Sequence, residues 1–192
     1  MTRAVLALGS NLGDRWATLR GGVEHVLGAG APAPAAPPSS APLSPVAPSL
    51  VALSPVYETA PVGGPEQGAY LNAVVVVDTD GTPEELLERA QAAERAFDRV
   101  REVRWGPRTL DVDVIVFGDV RSDDPVLTLP HPRAHLRAFV LRPWLDADPG
   151  AELPGHGPVA DLLAAVEAAD TAGDQRLNRR DDLRLLPPGG SR

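Results

Sequence analysis

The sequence predicts an α+β domain in which one antiparallel sheet carries its helices on one face, with further elements appended toward the C-terminus. Three observations predict it. Four segments are β-branched or alternate as strands do, and two segments between them place apolar residues at helical spacing. The length of 192 residues, 43% hydrophobic and 23% charged, suits one globular domain with a sizeable core.

Val5 to Leu8 is a short apolar run that reaches Gly9, and from Asp14 to Leu27 the residues Trp16, Leu19, Val23, Val26 and Leu27 recur at helical spacing. Strand, turn and helix follow in order. In the turn from Gly9 to Asp14, two glycines supply tight backbone geometry and Asp14 stands where a helix cap belongs. Gly30 to Pro48 is almost wholly Ala, Pro and Ser, with seven prolines and no charge, a composition that builds neither helix nor core. It reads as an extended, mobile surface insertion, tolerated because loop-closure entropy grows only logarithmically with length.

Leu50 to Tyr57 and Tyr70 to Asp78 read as two strands around a Gly/Pro loop and are expected to pair antiparallel. Thr82 then caps a helix from Pro83 to about Phe97, with Leu86, Leu87, Ala90, Ala93 and Phe97 on one face. Leu110 to Phe117 alternates as the last core strand, with Val112, Val114 and Val116 directed into the core. The order β-α-β-β-α-β is the split arrangement of ferredoxin-like folds. Val126 to Leu129, the run His131 to Asp146, and a helix from Val159 to Ala168 are additions to that core. One domain is expected over 1–170, with 30–48 as a disordered insertion and 171–192 as a flexible tail.

Composition excludes several chemistries. With no Cys, disulfide scaffolds, thiolate metal sites and thiol nucleophiles are ruled out. All 18 basic residues are Arg, which removes the lysine of a phosphate-binding P-loop and every Schiff-base mechanism. A net charge of -8 argues against sequence-blind nucleic-acid binding. No apolar run approaches the roughly 18 residues of a membrane span and the N-terminus is unlike a signal peptide, so a cytoplasmic protein is expected.

Asp111 and Asp113 are two apart in a strand, so both carboxylates project from one face, an arrangement suited to Mg2+ or, more plainly, to a polar sheet edge. Directly before them Arg99, Arg101, Arg104 and Arg108 crowd into ten residues. Guanidinium groups beside paired carboxylates match a magnesium polyphosphate; mutual salt bridging is the bland alternative. Trp105, inside this loop, reads either as a lid or as a packing anchor. Tyr70 and Asn72 share a strand face and could stack on and hydrogen-bond a flat heterocycle. His25 and His156 read as surface groups, and His131 lies nearest the charged region.

The strings LGSNLGD, ETAPVG with YLN downstream, RWGPRTLDVDV, and LTLPHPR followed by RAFVLRP resemble the 6-hydroxymethyl-7,8-dihydropterin pyrophosphokinase family over about Ala4 to Trp144. The resemblance implies magnesium-dependent transfer of pyrophosphate from ATP to the pterin alcohol in folate biosynthesis, by a cytoplasmic monomer that binds no nucleic acid or membrane. It implies that Asp111 and Asp113 hold two Mg2+ and that Arg99 and Arg108 are catalytic. Arg101, Arg104, Thr128, His131 and Arg137 would contact ATP, and Thr59, Val62, Tyr70, Asn72, Trp105 and Phe139 the pterin. Glu94 would anchor the arginines or form a structural ion pair. Two rivals stand beside this reading: a metal-dependent sugar-nucleotide transferase, which would want a larger domain, and a ferredoxin-like binding module, which would want more aromatics and positive charge.

Overall fold

The computed structural model describes residues 1–28, 47–61, 68–97, 109–171 and 173–186. Among them the chain runs β1 (Thr2–Ser10), α1 (Arg15–Val26), β2 (Ser49–Leu53), β3 (Val56–Thr59), β4 (Tyr70–Thr79), α2 (Pro83–Phe97) and β5 (Asp111–Phe117). Then come a hairpin of β6 (Ser122–Asp123) and β7 (Thr128–Leu129), α3 (Ala138–Ala147), a pair of β8 (Glu152–Leu153) and β9 (Gly157–Pro158), α4 (Val159–Ala169) and β10 (Leu177–Arg180). Most of the insertion expected over 30–48 lies outside the described residues.

The main sheet is antiparallel in the order β10-β3-β4-β1-β5, with β2 also on β4. This is the strand order of a ferredoxin-like core. Both core helices start where the sequence signals them. Asp14 accepts the Ala17 N–H at 3.0 Å, and Thr82 and Glu85 exchange bonds as a capping box. Gly22 lets α1 approach the sheet, because a Cβ there would meet Leu110 at 2.9 Å and Leu8 at 3.3 Å.

The sheet is covered on both faces. Leu6, Leu8, Leu71, Ala73, Val75 and Val77 pack with α1 and α2. The alternate residues Val5, Val74, Val76 and Ile115 pack with Val140, Leu141 and Trp144 of α3 and Leu163 of α4. The core helices therefore share one face, as expected, and the appended helices close part of the other. No helix among the described residues is long and apolar enough to cross a membrane.

Four details depart from the sequence expectation. The strand expected over Leu50 to Tyr57 divides at Ser54 and Pro55, since Pro55 has no N–H to donate. Ser54 bridges the break: its N–H donates to the Val74 carbonyl and its hydroxyl accepts the Val74 N–H, each at 2.9 Å. On β5 the register shifts, pairing Val5 with Val116 but Leu6 with Val114, so Ile115 is bulged. Val116 consequently joins Ile115 on the α3 and α4 face, opposite Val112 and Val114. The expected flexible tail from 171 contains β10, which pairs with β3 from Leu177 opposite Thr59 to Arg180 opposite Val56. His25 is half-buried, its Nε2 atom enclosed without a hydrogen-bond partner among the described residues, whereas His156 is exposed.

Candidate active site

The α3 and α4 face of the sheet is not covered along its whole length. On β4 the residues of that face read Val76, Val74, Asn72, Tyr70, and on β5 they read Ile115, Asp113, Asp111. The apolar members lie under α3, and the polar ones continue past its N-terminal end into an open cleft of about 170 Å³.

Sheet register fixes the layout of the cleft. Gly9 of β1 stands between Asn72 on one side and Asp111 on the other, and Ala7 stands between Val74 and Asp113. Tyr57 and Thr59 of β3 lie opposite Asn72 and Tyr70. The floor is thus made of the two smallest side chains available, flanked by an aromatic and amide wall on β3 and β4 and a carboxylate wall on β5. Two strand spacings, about 10 Å, separate the backbones of those walls.

On the first wall, Asn72 and Thr59 are both buried, and the Asn72 Nδ2 donates to Thr59 Oγ1 at 2.9 Å. This fixes the amide with Oδ1 toward Gly9, where an added Cβ would lie only 3.1 Å away. Phe139, at the start of α3, brings a second ring toward the cleft lined by Tyr70. Arg15 holds this wall from behind, donating to the Ala69 carbonyl at 2.7 Å and pairing with Glu58 at 2.8 Å.

On the second wall, Asp113 Oδ2 lies 3.4 Å from Arg137 Nη1 and 3.7 Å from His131 Nε2. The Arg137 guanidinium also sits 5.4 Å from the Phe139 ring centre, so one arginine links the two walls. The carbonyl of bulged Ile115 accepts the His131 N–H at 2.8 Å and holds that segment against β5. His131 Nδ1 accepts the Arg133 N–H at 3.1 Å, which leaves the proton of a neutral ring on Nε2, facing Asp113. Burial, helped by Arg137 and Arg133 and opposed by Asp113, holds the His131 pKa below its ordinary value. Glu94 of α2 accepts the Val112 N–H at 3.0 Å, and Ser10 Oγ donates to the Thr109 carbonyl at 2.6 Å, so the N-terminal end of the carboxylate strand is tied down.

The cleft has paired hard oxygen donors on one side and a flat, half-apolar slot on the other, and the chain's similarities fall in the same chemistry. Residues 5–149 match the model of the family 7,8-dihydro-6-hydroxymethylpterin-pyrophosphokinase. The chain belongs to that family. It is 46% identical to a 2-amino-4-hydroxy-6-hydroxymethyldihydropteridine pyrophosphokinase of Mycobacterium bovis, over 98% of this chain and 92% of the relative. A relative of the same name from Methylorubrum extorquens is 41% identical over 92% and 99%. Among solved structures, the wild-type Plasmodium falciparum HPPK-DHPS superposes with a TM-score of 0.61 at 13% identity, a likeness of fold. There the match covers 93% of this chain but 44% of the longer one.

Of the residues singled out in the sequence, the cleft brings together Thr59, Tyr70, Asn72, Asp111, Asp113, Arg137 and Phe139. His131 reaches it through Asp113. Thr128 does not line it; its hydroxyl donates to the Asp124 carbonyl within the β6–β7 hairpin at 2.9 Å. Arg99, Arg101, Arg104, Trp105, Arg108 and Val62 lie outside the described residues. The sequence reading missed the floor. Gly9, taken for a turn residue, belongs to β1, and its use is the missing side chain.

Proposed function

We propose that the two walls divide the reaction between them, with the pterin on Tyr70, Asn72, Thr59 and Phe139 and the ATP phosphates on the side of Asp111 and Asp113. As a member of its family the chain is an ATP-dependent diphosphotransferase that passes pyrophosphate to 6-hydroxymethyl-7,8-dihydropterin in folate biosynthesis. The hydroxymethyl oxygen attacks the β-phosphorus and AMP departs. The observation that carries the site reading is the register of β4, β1 and β5, which sets a stacking and hydrogen-bonding wall facing a carboxylate pair across Gly9.

Asp111 and Asp113 suit magnesium: both are hard oxygen donors, both half-exposed, and both open on the same cleft. We assign them two Mg2+, which when bound would neutralise phosphate charge and align the reacting oxygens. The remaining work belongs to the chain. Asn72, with its Nδ2 committed to Thr59, presents Oδ1 as an acceptor for ring N–H groups of the pterin. Tyr70 and Phe139 supply apolar faces for stacking. Arg137 is placed to exchange its Asp113 contact for a phosphate oxygen, and His131 Nε2 faces the same carboxylate at 3.7 Å. We retain Arg99 and Arg108 as stabilisers of the transferring phosphates, with Arg101, Arg104 and Thr128 as ATP contacts and Val62 and Trp105 at the pterin. Each aligned arginine is worth about 2.7–4 kcal/mol if it acts as a transition-state donor.

The use of ATP and the lack of Cys fit a cytoplasmic enzyme, and we retain the monomer expected from the sequence. The test is AMP formation from ATP and Mg2+ by the purified protein, with and without 6-hydroxymethyl-7,8-dihydropterin. Pterin-dependent AMP, lost in Asp111→Ala and Asp113→Ala, is the expected result. Equal AMP release in the absence of pterin would overturn the reading.

A further inference from the structure

We infer that Gln175, outside the segment that matches the family model, is a positioning residue that sets the pterin wall from behind. The argument starts at the N-terminus of α3. A helix begins with N–H groups that lack intrahelical partners, and the residue flanking α3, Arg137, has no acceptor in its side chain with which to cap them. The missing acceptor comes from 37 residues away: Gln175 Oε1 accepts the Ala138 N–H at 2.8 Å. Ala138 lies between Arg137, which flanks the helix, and Phe139 in its first turn, both of which line the cleft.

The segment carrying Gln175 is itself held. Asp170, at the end of α4, accepts the N–H groups of Asp174 and Gln175 at 2.8 and 3.0 Å through its two carboxylate oxygens. Two residues after Gln175, β10 begins at Leu177, which pairs with Thr59 and packs against the α3 and α4 core. One short stretch of chain therefore touches both halves of the pterin wall: Gln175 fixes the helix that presents Phe139, and Leu177 fixes the strand that presents Thr59. A contact made by the Gln175 acceptor oxygen alone sets a clear chemical criterion, because a glutamate can replace it and an alanine cannot.

This inference rests on the reading of Phe139 as a pterin contact, so three full-length variants are compared by steady-state kinetics: Gln175→Ala, Gln175→Glu and Phe139→Ala. We expect Gln175→Ala to raise the KM for 6-hydroxymethyl-7,8-dihydropterin about fivefold, the effect of losing one helix cap, with kcat within about twofold. Gln175→Glu, which keeps the acceptor and adds negative charge at a helix N-terminus, should return KM to within about twofold of the parent. Phe139→Ala should raise it further than either. A normal pterin KM in Gln175→Ala alongside a raised one in Phe139→Ala would overturn the positioning role alone. An unchanged pterin KM in Phe139→Ala would overturn both it and the site reading. Should Gln175→Ala not fold, Gln175→Met keeps the side-chain volume without the acceptor, and the same KM rise is expected of it.

Discussion

The two faces of the central sheet are built from alternate residues of the same strands, yet they do opposite work. On the α1 and α2 side, β4 contributes Leu71, Ala73, Val75 and Val77, all buried and apolar from end to end. On the other side it contributes Val76 and Val74 beneath α3, then Asn72 and Tyr70 beyond the N-terminal end of that helix. β5 shows the same division, with Val112 and Val114 against Asp111 and Asp113. A period of two thus lets one strand hold the fold with one set of side chains and present chemistry with the other. The closed face can tolerate little change in volume; the open end of the second face can tolerate little change in polarity.

The sharpest way to break this division is to exchange its signatures. Asp111→Ala and Asp113→Ala remove charge from the open face and no apolar packing, so magnesium-dependent turnover should fall at least about 10²–10³-fold with a melting temperature close to the parent's. Near-normal turnover in either variant, followed as AMP release, would break the comparison at its functional end. Leu6→Ala does the converse. Leu6 is fully buried against α1 and α2, so its truncation should cost about 2–5 kcal/mol in denaturant unfolding while the pterin KM of the folded enzyme stays within about twofold.

Gly9 tests the boundary between the faces. A Cβ at this position would lie 3.1 Å from Asn72 Oδ1, tighter than ordinary contact, and the amide is tethered at its other end by Thr59. Gly9→Ala should therefore raise the pterin KM roughly three- to tenfold, about 1 kcal/mol, with a smaller effect on the KM for ATP. Equal effects on both substrates would show that the floor serves the two walls alike.

How much of this could be read beforehand follows from the same geometry. Local signals survived: Asp14 and Thr82 cap their helices because a cap depends only on residues three apart. The paired carboxylates were legible because strand periodicity alone sends both to one face. What escaped notice depends on distant partners. Val116 changes faces because of a bulge at Ile115, whose carbonyl is used by His131, and nothing in the string DVDVIVF announces it. Gly9 looks like a turn glycine until Asn72 and Asp111 are seen on either side of it. The polar stretch around Leu177 looks like a tail because a four-residue edge strand carries too few apolar residues to declare itself, and only pairing with β3 orders it.

The smallest expected effect contrasts the two faces through their histidines. His131, at the open end, has a charged neighbour in Asp113 that partly opposes the effect of burial. His25, on α1, has none among the described residues: burial and then the charges of Arg89 and Arg95 all hold its pKa below the ordinary value. The folded protein therefore resists protonating His25 while the unfolded chain accepts a proton near pH 6.5. As pH falls through that value the unfolded state binds more protons, so stability contributed by neutral His25 is present above about pH 6.5 and declines below it. His25→Gln should flatten the fall in stability between about pH 6.5 and 5 without changing AMP release at pH 8, measured by urea unfolding and steady-state assay on the same preparations. If the fall persists in the variant, the acid sensitivity lies elsewhere, and His131 at the open face becomes the group to substitute next.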